Sequence, residues 1–406
     1  MHYEFPHIAH IDDVLPHIDD TCFRIITKEG MTFVSYKLDG LDTFPIVEGT
    51  AQERLRAAVR RECRGITFDA ASGRIISRPL HKFFNIGQRP DCQPQDLDIS
   101  RPHILLEKLD GSMIRPLPFA DSLRWGTKMG ITDVGMLAET FIIEDAFAFG
   151  IKRYEELAWE CVNDGFTPIF EFCSRANRIV LDYPEPKLVL TAIRHTVKGV
   201  YISYEGLVVT GKKFWNIPVV VADTIKSISD MEGYLSDLKR ERDIEGSVVR
   251  WDDGSMAKGK TDWYVRIHRA KDMMRSERRL LDLWFENELD DLLPALFTED
   301  RERISAYINR FTRELWASGD RIKDLYDYVR DQYETKKDFA ISTAGTMPHA
   351  DRCMMFALWD NKFPNGIVLA DNMVKRSLSS TEKFDDTLSN LGMNTKWEET
   401  MCLTNT

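Results

Sequence analysis

Near residue 270 the hydrophobic rhythm of the chain changes, and this constrains the fold more than any other feature. Up to about residue 265, apolar and β-branched residues cluster in short runs between turn signals, as in Arg24 to Tyr36, Ile104 to Leu117 and Lys187 to Arg194. Such runs read as strands. One long helical segment, Asp133 to Asn163, lies among them. Beyond 270 the period is helical with charged outer faces over Ser276 to Phe297, Arg301 to Tyr333 and Lys337 to Asp360. The expectation is an α+β domain of antiparallel sheets with helices over residues 1–270, then an all-α domain over 271–406. No Pro/Gly/Ser-rich linker separates the two, so close packing is expected. The last stretch, Ser377 to Thr406, is polar and reads as partly disordered.

At 406 residues and 43% hydrophobic content the chain can bury a substantial core. No apolar run is long enough to span a bilayer, and Met1 to His7 lacks the basic-then-apolar layout of a signal peptide, which predicts a cytoplasmic protein. The seven cysteines are scattered without close pairs and are expected as free thiols.

The run Glu107-Lys108-Leu109-Asp110-Gly111-Ser112 carries the chemistry. A lysine attacks the α-phosphorus of a nucleoside triphosphate only as the neutral amine, so its site must disfavour the proton, which nearby cations do. Lys258-Gly259-Lys260 supplies two such cations, and alternation along a strand would point both to one face, where they could also hold phosphates. Lys-x-Asp-Gly alone is weak evidence, and the chain carries it twice. The earlier copy, Lys37-Leu38-Asp39-Gly40, reads as a hairpin turn. A second hairpin is expected downstream. Ser247 to Trp251 would turn at Asp252-Asp253-Gly254-Ser255 and return to Lys258, placing Glu245 and Lys260 at one end.

What separates Lys108 from Lys37 is its company. Cys63-Arg64-Gly65, then Ser77-Arg78-Pro79-Leu80-His81-Lys82-Phe83-Phe84-Asn85, then the Lys108 run are followed by Phe170-Glu171-Phe172, Asn177-Arg178-Ile179-Val180-Leu181, Glu245-Gly246 and Lys258 to Val265. In this order the motifs resemble those of the RNA ligase 1 family, the T-even bacteriophage type of ATP-dependent, tRNA-repairing ligase, over roughly residues 20 to 270. His81, in place of an acidic residue, and Gly259, in place of a bulkier apolar one, depart from the family pattern.

The resemblance implies a nucleotidyltransferase fold and an enzyme that joins RNA 5′-phosphate and 3′-hydroxyl ends through a lysyl-AMP on Lys108. The catalytic set would be Lys108, Glu171, Glu245, Lys258 and Lys260. ATP would be held by these together with Tyr36, Arg64, Lys82, Asp110, Gly111 and Lys128. Glu245 would act through the water shell of Mg2+ or Mn2+, since magnesium keeps several waters. The expected partner is RNA, as single-stranded ends or a tRNA broken in its anticodon loop, and the expected state is a monomer in the cytoplasm, the host's if the chain is phage-encoded. Phe83-Phe84 reads as core.

Other readings remain open at this point. DNA ligases and GTP-using capping enzymes usually append a β-barrel after the last lysine motif, whereas here a helical pattern follows. A non-catalytic RNA-binding protein on a ligase scaffold would not need the full set of reactive side chains present here. The net charge of −11 is unusual for a nucleic-acid enzyme, but Lys271, Arg275 and Arg279, four apart, would form one basic stripe if helical, facing RNA or solvent.

Overall fold

The computed structural model describes residues 4–119, 122–223, 228–274, 276–296 and 298–397. Two compact units divide it, one up to Val265 and one from Arg266.

Among the described residues the first unit holds every strand, and all pairings between named strands are antiparallel. A hairpin of β1 (Phe23–Lys28) and β2 (Met31–Tyr36) is followed by α1 (Ala51–Glu62), β3 (Arg64–Asp69) and β4 (Ile75–Ser77), and the four strands form one sheet in chain order. Next come β5 (His103–Lys108), β6 (Ser112–Phe119), β7 (Ser122–Gly126), α2 (Asp133–Phe149), α3 (Arg153–Asn163), β8 (Phe166–Cys173), β9 (Lys187–His195), α4 (Tyr204–Lys213), β10 (Ala222–Asp223), α5 (Met231–Arg240), β11 (Gly246–Trp251) and β12 (Met256–Lys260). They build a second sheet in the order β10-β5-β11-β12 and a third in the order β7-β6-β8-β9. Consecutive strands β5 and β6 thus belong to different sheets, and the chain passes between them through Leu109, Asp110 and Gly111.

Among the described residues two large apolar cores hold the sheets. One gathers Ile114, Trp125, Phe170, Leu188 and Leu190 under α2 and α3, and the other Phe23, Val34, Phe44, Ile66, Phe68 and Trp251. Burying each such side chain contributes about 1.5–3 kcal/mol. The single helix expected over Asp133 to Asn163 is two. Gly150, at φ +70°, caps α2 in the left-handed conformation, and α3 begins after it.

Helix α6 (Asp262–Met274) contains the division between the units. After it follow α7 (Glu277–Phe285), α8 (Leu289–Leu292), α9 (Thr298–Gln332), α10 (Lys336–Ser342), α11 (His349–Trp359), α12 (Gly366–Ser377) and α13 (Thr381–Leu391), with no strand among the described residues. The polar stretch from Ser377 thus includes a helix, whose Phe384, Leu388 and Leu391 are buried at helical spacing. None of the described helices is long and apolar enough to cross a membrane. Among the described residues the cysteines are unpaired.

Candidate active site

Lys108 ends β5, the strand next to β11, and faces Gly246, which in turn faces Lys260 on β12. This register brings the three positions into one line across the sheet. Gly246, at φ +152°, leaves no room for a side chain, since a Cβ would lie 2.0 Å from the Gly259 carbonyl oxygen. Glu245, just before it, is 3% exposed. Its Oε1 lies 2.6 Å from Lys108 Nζ and 3.0 Å from Lys260 Nζ. Burial pushes the Glu245 carboxyl up, but the two ammonium groups outweigh it and hold the group below the usual range.

The turn after Lys108 is fixed by hydrogen bonds. Asp110 Oδ2 accepts from the Val180 and Leu181 amides at 2.7 and 2.6 Å, and Oδ1 accepts from the Tyr264 hydroxyl at 2.6 Å. The Asp110 amide donates to the Tyr183 hydroxyl at 3.1 Å. Each involves the buried Asp110, the kind of bond that costs most to break. Gly111 is required by close approach, because a Cβ there would stand 2.4 Å from the Phe172 carbonyl oxygen on β8. The Asn177 to Leu181 segment therefore cradles the motif aspartate, and the Asn177 side chain binds Ser112 as well.

Further cations converge from the other strands. Lys258 is two residues from Lys260, and Ala257 and Gly259 between and before them are buried on the opposite face. Burial, with Lys108, Arg64, Lys82 and Lys260 around it, holds the Lys258 ammonium well below its usual range. Its Nζ lies 5.4 Å from the centre of the Phe83 ring, over which Arg64 also sits at 6.0 Å. Phe84 is core, but Phe83 is a partly exposed floor under two cations. The segment reaches the site because the Lys258 amide donates to the Phe84 carbonyl and the Ile86 amide to that of Lys258, adding residues 84–86 to the edge of β12.

Tyr36, at the end of β2, carries Lys82 Nζ 5.0 Å and Lys128 Nζ 5.6 Å from its ring centre. Burial raises the tyrosine, and Lys82, Lys128 and Arg64 together bring it below its usual value. Lys128 is lowered by burial. Its backbone passes so close to Gly65 that a Cβ there would stand 2.3 Å from the Lys128 carbonyl oxygen, which also accepts from Ser35. Glu171 lies on β8 opposite Met113, and burial pushes its carboxyl up to about 7 against the pull of Lys108.

Every residue of the sequence-derived catalytic and ATP set thus falls in this first unit around Lys108. Two expectations are corrected. Lys37-Leu38-Asp39-Gly40 is not a hairpin turn: it is an irregular segment after β2 that leads toward α1. Its aspartate reaches the site, with Oδ2 2.5 Å from Lys82 Nζ. The basic stripe is not one helix either. Among the described residues α6 runs to Met274, Ser276 is extended, and Arg279 belongs to α7, so Lys271 and Arg279 do not lie along one helix. Arg275 lies outside the described residues. Lys271 instead pairs with Asp300 at 3.8 Å.

Asp39, Phe83, Tyr183 and Tyr264 escaped the reading of the sequence. Asp39, Phe83 and Tyr264 stood in runs named above, but Asp39 read as part of a turn and Phe83 as core, and Tyr183 stood in none. No local pattern gives the roles of Asp39 and Tyr183, which come from pairing across 43 residues for Asp39 and Lys82 and across 73 for Asp110 and Tyr183.

The residues present carry a polyanion well. Among the described residues, Arg64, Lys128 and Lys258 form no salt bridge to a carboxylate, Lys108 and Lys260 share Glu245, and Lys82 has Asp39. For a metal they offer less: among the described residues no three His, Cys, Asp or Glu side chains group to ligate one. With Glu245 Oε1 already on two lysines, that carboxylate fits contact with the hydration shell of an ion carried on phosphates.

A Thermovibrio ammonificans protein named "Putative RNA ligase" is 26% identical over 323 residues, covering 76% of this chain and 78% of the relative. RNA ligase 1 of bacteriophage TS2126 is 27% identical over 250 residues, 58% of each chain. Among solved structures, an archaeal ATP-dependent RNA ligase superposes with a TM-score of 0.40 at 13% identity, over 62% of this chain and 61% of the other. The RNA ligase family matches residues 62–271, a little over half of the chain and the whole stretch from the end of α1 through the lysines of β12. The chain belongs to the RNA ligase family.

Proposed function

We propose that the chain is an ATP-dependent ligase of RNA 5′-phosphate and 3′-hydroxyl ends, with Lys108 as the residue that carries AMP. The observation that supports this best is the convergence of Arg64, Lys82, Lys128, Lys258 and Lys260 around one strand-end lysine in a protein of net charge −11. Three phosphoryl transfers need little from a protein beyond positioning and charge neutralisation, and the cluster supplies both.

In the first step the neutral amine of Lys108 attacks the α-phosphorus of ATP. The N–P bond forms, the α–β P–O bond breaks, and pyrophosphate leaves with the electron pair. The ammonium form, paired to Glu245, is not a nucleophile, so the proton leaves before attack. Lys258 and Lys260 face the negative charge that grows on the phosphates, and Arg64, Lys82 and Lys128 hold the outer ones. In the second step an oxygen of the RNA 5′-phosphate attacks the AMP phosphorus, the N–P bond breaks, and Lys108 regains a proton. In the third, the RNA 3′-hydroxyl attacks the activated 5′-phosphorus, a phosphodiester forms, and AMP leaves. Mg2+ or Mn2+, carried on the nucleotide with Glu245 at its water shell, would supply further charge neutralisation.

Glu171 would touch the ribose or orient the lysines, and Asp110 and Gly111 hold the geometry of the turn. The division at residue 265 supports a reading of the first unit as the adenylyltransferase and of the helical unit as the part that selects RNA, with a nicked tRNA anticodon loop as the preferred substrate. In this reading the enzyme is a cytoplasmic monomer. The test is incubation with radiolabelled ATP and magnesium, denaturing electrophoresis, and then addition of 5′-phosphorylated single-stranded RNA. A labelled protein band that RNA discharges supports the proposal. A band formed from GTP only, or discharged by nicked DNA only, overturns it.

A further inference from the structure

Of the cations in the site, Lys82 has an unusual pair of surroundings. Its side chain is 9% exposed, and its ammonium sits 5.0, 5.5 and 5.3 Å from the ring centres of Tyr36, Phe44 and Phe84. An ammonium has three donors, and ring faces attract its charge without giving it a full acceptor. The acceptor it has is Asp39 Oδ2 at 2.5 Å. A lysine this enclosed is costly to leave without an anion.

Asp39 is built differently. Its side chain is 38% exposed, and it lies in the irregular segment after β2, between Leu38, which is 71% exposed, and Gly40, around whose Cβ position nothing approaches within 4 Å. The backbone on either side is held, with the Lys37 amide on the Cys22 carbonyl and the Gly40 carbonyl on the Phe44 amide, so the movement asked of Asp39 is a rotation of its own exposed side chain. The contrast with Glu245 is direct. Glu245 is walled in and grips two lysines, whereas Asp39 reaches one lysine from the solvent side.

We infer that Asp39 is a displaceable surrogate for the outer phosphates of the nucleotide: it leaves Lys82 when ATP binds and returns to it when pyrophosphate departs. The inference rests on the reading that Lys82 holds the triphosphate. Because Asp39 is tethered three residues from Tyr36, its carboxylate competes at an effective concentration in the millimolar range, as for any short flexible link. Such a competitor weakens pyrophosphate and ATP alike. Its use lies in the reverse reaction, in which a pyrophosphate oxygen attacks the AMP phosphorus, the N–P bond breaks, Lys108 takes up a proton and ATP re-forms. With Lys82 recaptured by Asp39, the lysyl-AMP is shielded from that attack and waits for RNA.

The experiment uses the full chain charged with radiolabelled AMP, freed of ATP, and chased with inorganic pyrophosphate. The reading is the pyrophosphate concentration that gives half-maximal loss of label. For Asp39→Asn it should fall about three- to fivefold, the scale of a part-exposed ion pair. For Lys82→Ala it should rise at least tenfold, and adding Asp39→Asn to Lys82→Ala should change nothing more. If Asp39→Asn leaves the value unchanged or raises it while Lys82→Ala raises it, the surrogate role is wrong and the phosphate role of Lys82 stands. If Asp39→Asn lowers it equally without Lys82, Asp39 acts by general repulsion and the inference falls. If Lys82→Ala alters neither the ATP nor the pyrophosphate dependence, the reading of Lys82 itself fails. Asp39→Glu, which keeps the charge, should stay within about twofold of the parent.

Discussion

The same four residues, Lys-Leu-Asp-Gly, occur at 37–40 and 108–111 and reach opposite ends in one molecule. In the later copy the lysine ends a central strand, Leu109 is 6% exposed, Asp110 is held by two amides and a hydroxyl, and Gly111 lies against the Phe172 carbonyl. In the earlier copy Lys37 turns away and donates to the Asp20 carbonyl, Leu38 is exposed, and Gly40 has open space. The tetrapeptide therefore sets no conformation of its own. Strand crossing fixes the second copy, since β5 and β6 belong to different sheets and the turn must absorb the change, whereas the first copy leaves a strand for an irregular segment.

The largest effect that would break this contrast is chemical. Lys108→Ala should abolish the labelled protein band, and Lys37→Ala should leave it at the parent level. Peptide mapping that placed AMP on Lys37 would reverse the assignment. Next come the groups facing Lys108. Ala at Glu245, Lys258 or Lys260 should each slow adenylylation about a hundredfold or more. Thermal unfolding separates them further: Lys258→Met should raise the melting temperature, because it removes a half-buried ammonium that neighbouring cations oppose. A fall in both activity and melting temperature would make Lys258 a structural residue.

Stability should divide the two copies as activity does. Leu109→Ala opens space in a core and should cost about 2–5 kcal/mol in denaturant unfolding, against about 0.5 kcal/mol or less for the exposed Leu38→Ala. Equal losses would mean that the irregular segment is packed after all. A last effect concerns pH. The folded-state carboxyl of Glu171 is raised to about 7, so the folded protein keeps a proton that the unfolded chain gives up near pH 4.5. Stability from this group is complete below about pH 4.5 and is lost as pH rises through 7, by up to about 3 kcal/mol. Glu171→Gln should flatten that slope, and an unchanged slope would exclude Glu171 as its source.

Much of this arrangement is legible in the amino-acid order where the signals are local. The Asp252 to Ser255 turn specifies the hairpin of β11 and β12, and the hairpin register alone brings Lys260 beside the residue after Glu245. Helical periodicity likewise marks most of the second unit. What the order does not disclose is decided across sheets or by single backbone conformations. Asp39 finds Lys82 only because β2 and the segment before Phe83 come together in space. One left-handed glycine, Gly150, breaks a continuous apolar period into two helices, and the extended backbone at Ser276 separates charges that sequence spacing had joined.

Gly259, the departure from the family pattern between the two motif lysines, has its reason on the far side of the sheet. A Cβ there would lie 2.5 Å from Leu238 Cδ2 and 3.4 Å from Leu235 Cδ2, both on α5. Volume missing from the strand is volume taken by the helix. The two positions are therefore bound in inheritance: a lineage that regains a bulky residue at 259 must shorten the one at 238, in either order only through an intermediate that is overpacked or hollow. Across relatives, size at these two places should vary inversely while Lys258 and Lys260 stay fixed. The back of β12 is thus free to drift as a pair, and the face that carries Lys258 and Lys260 is not.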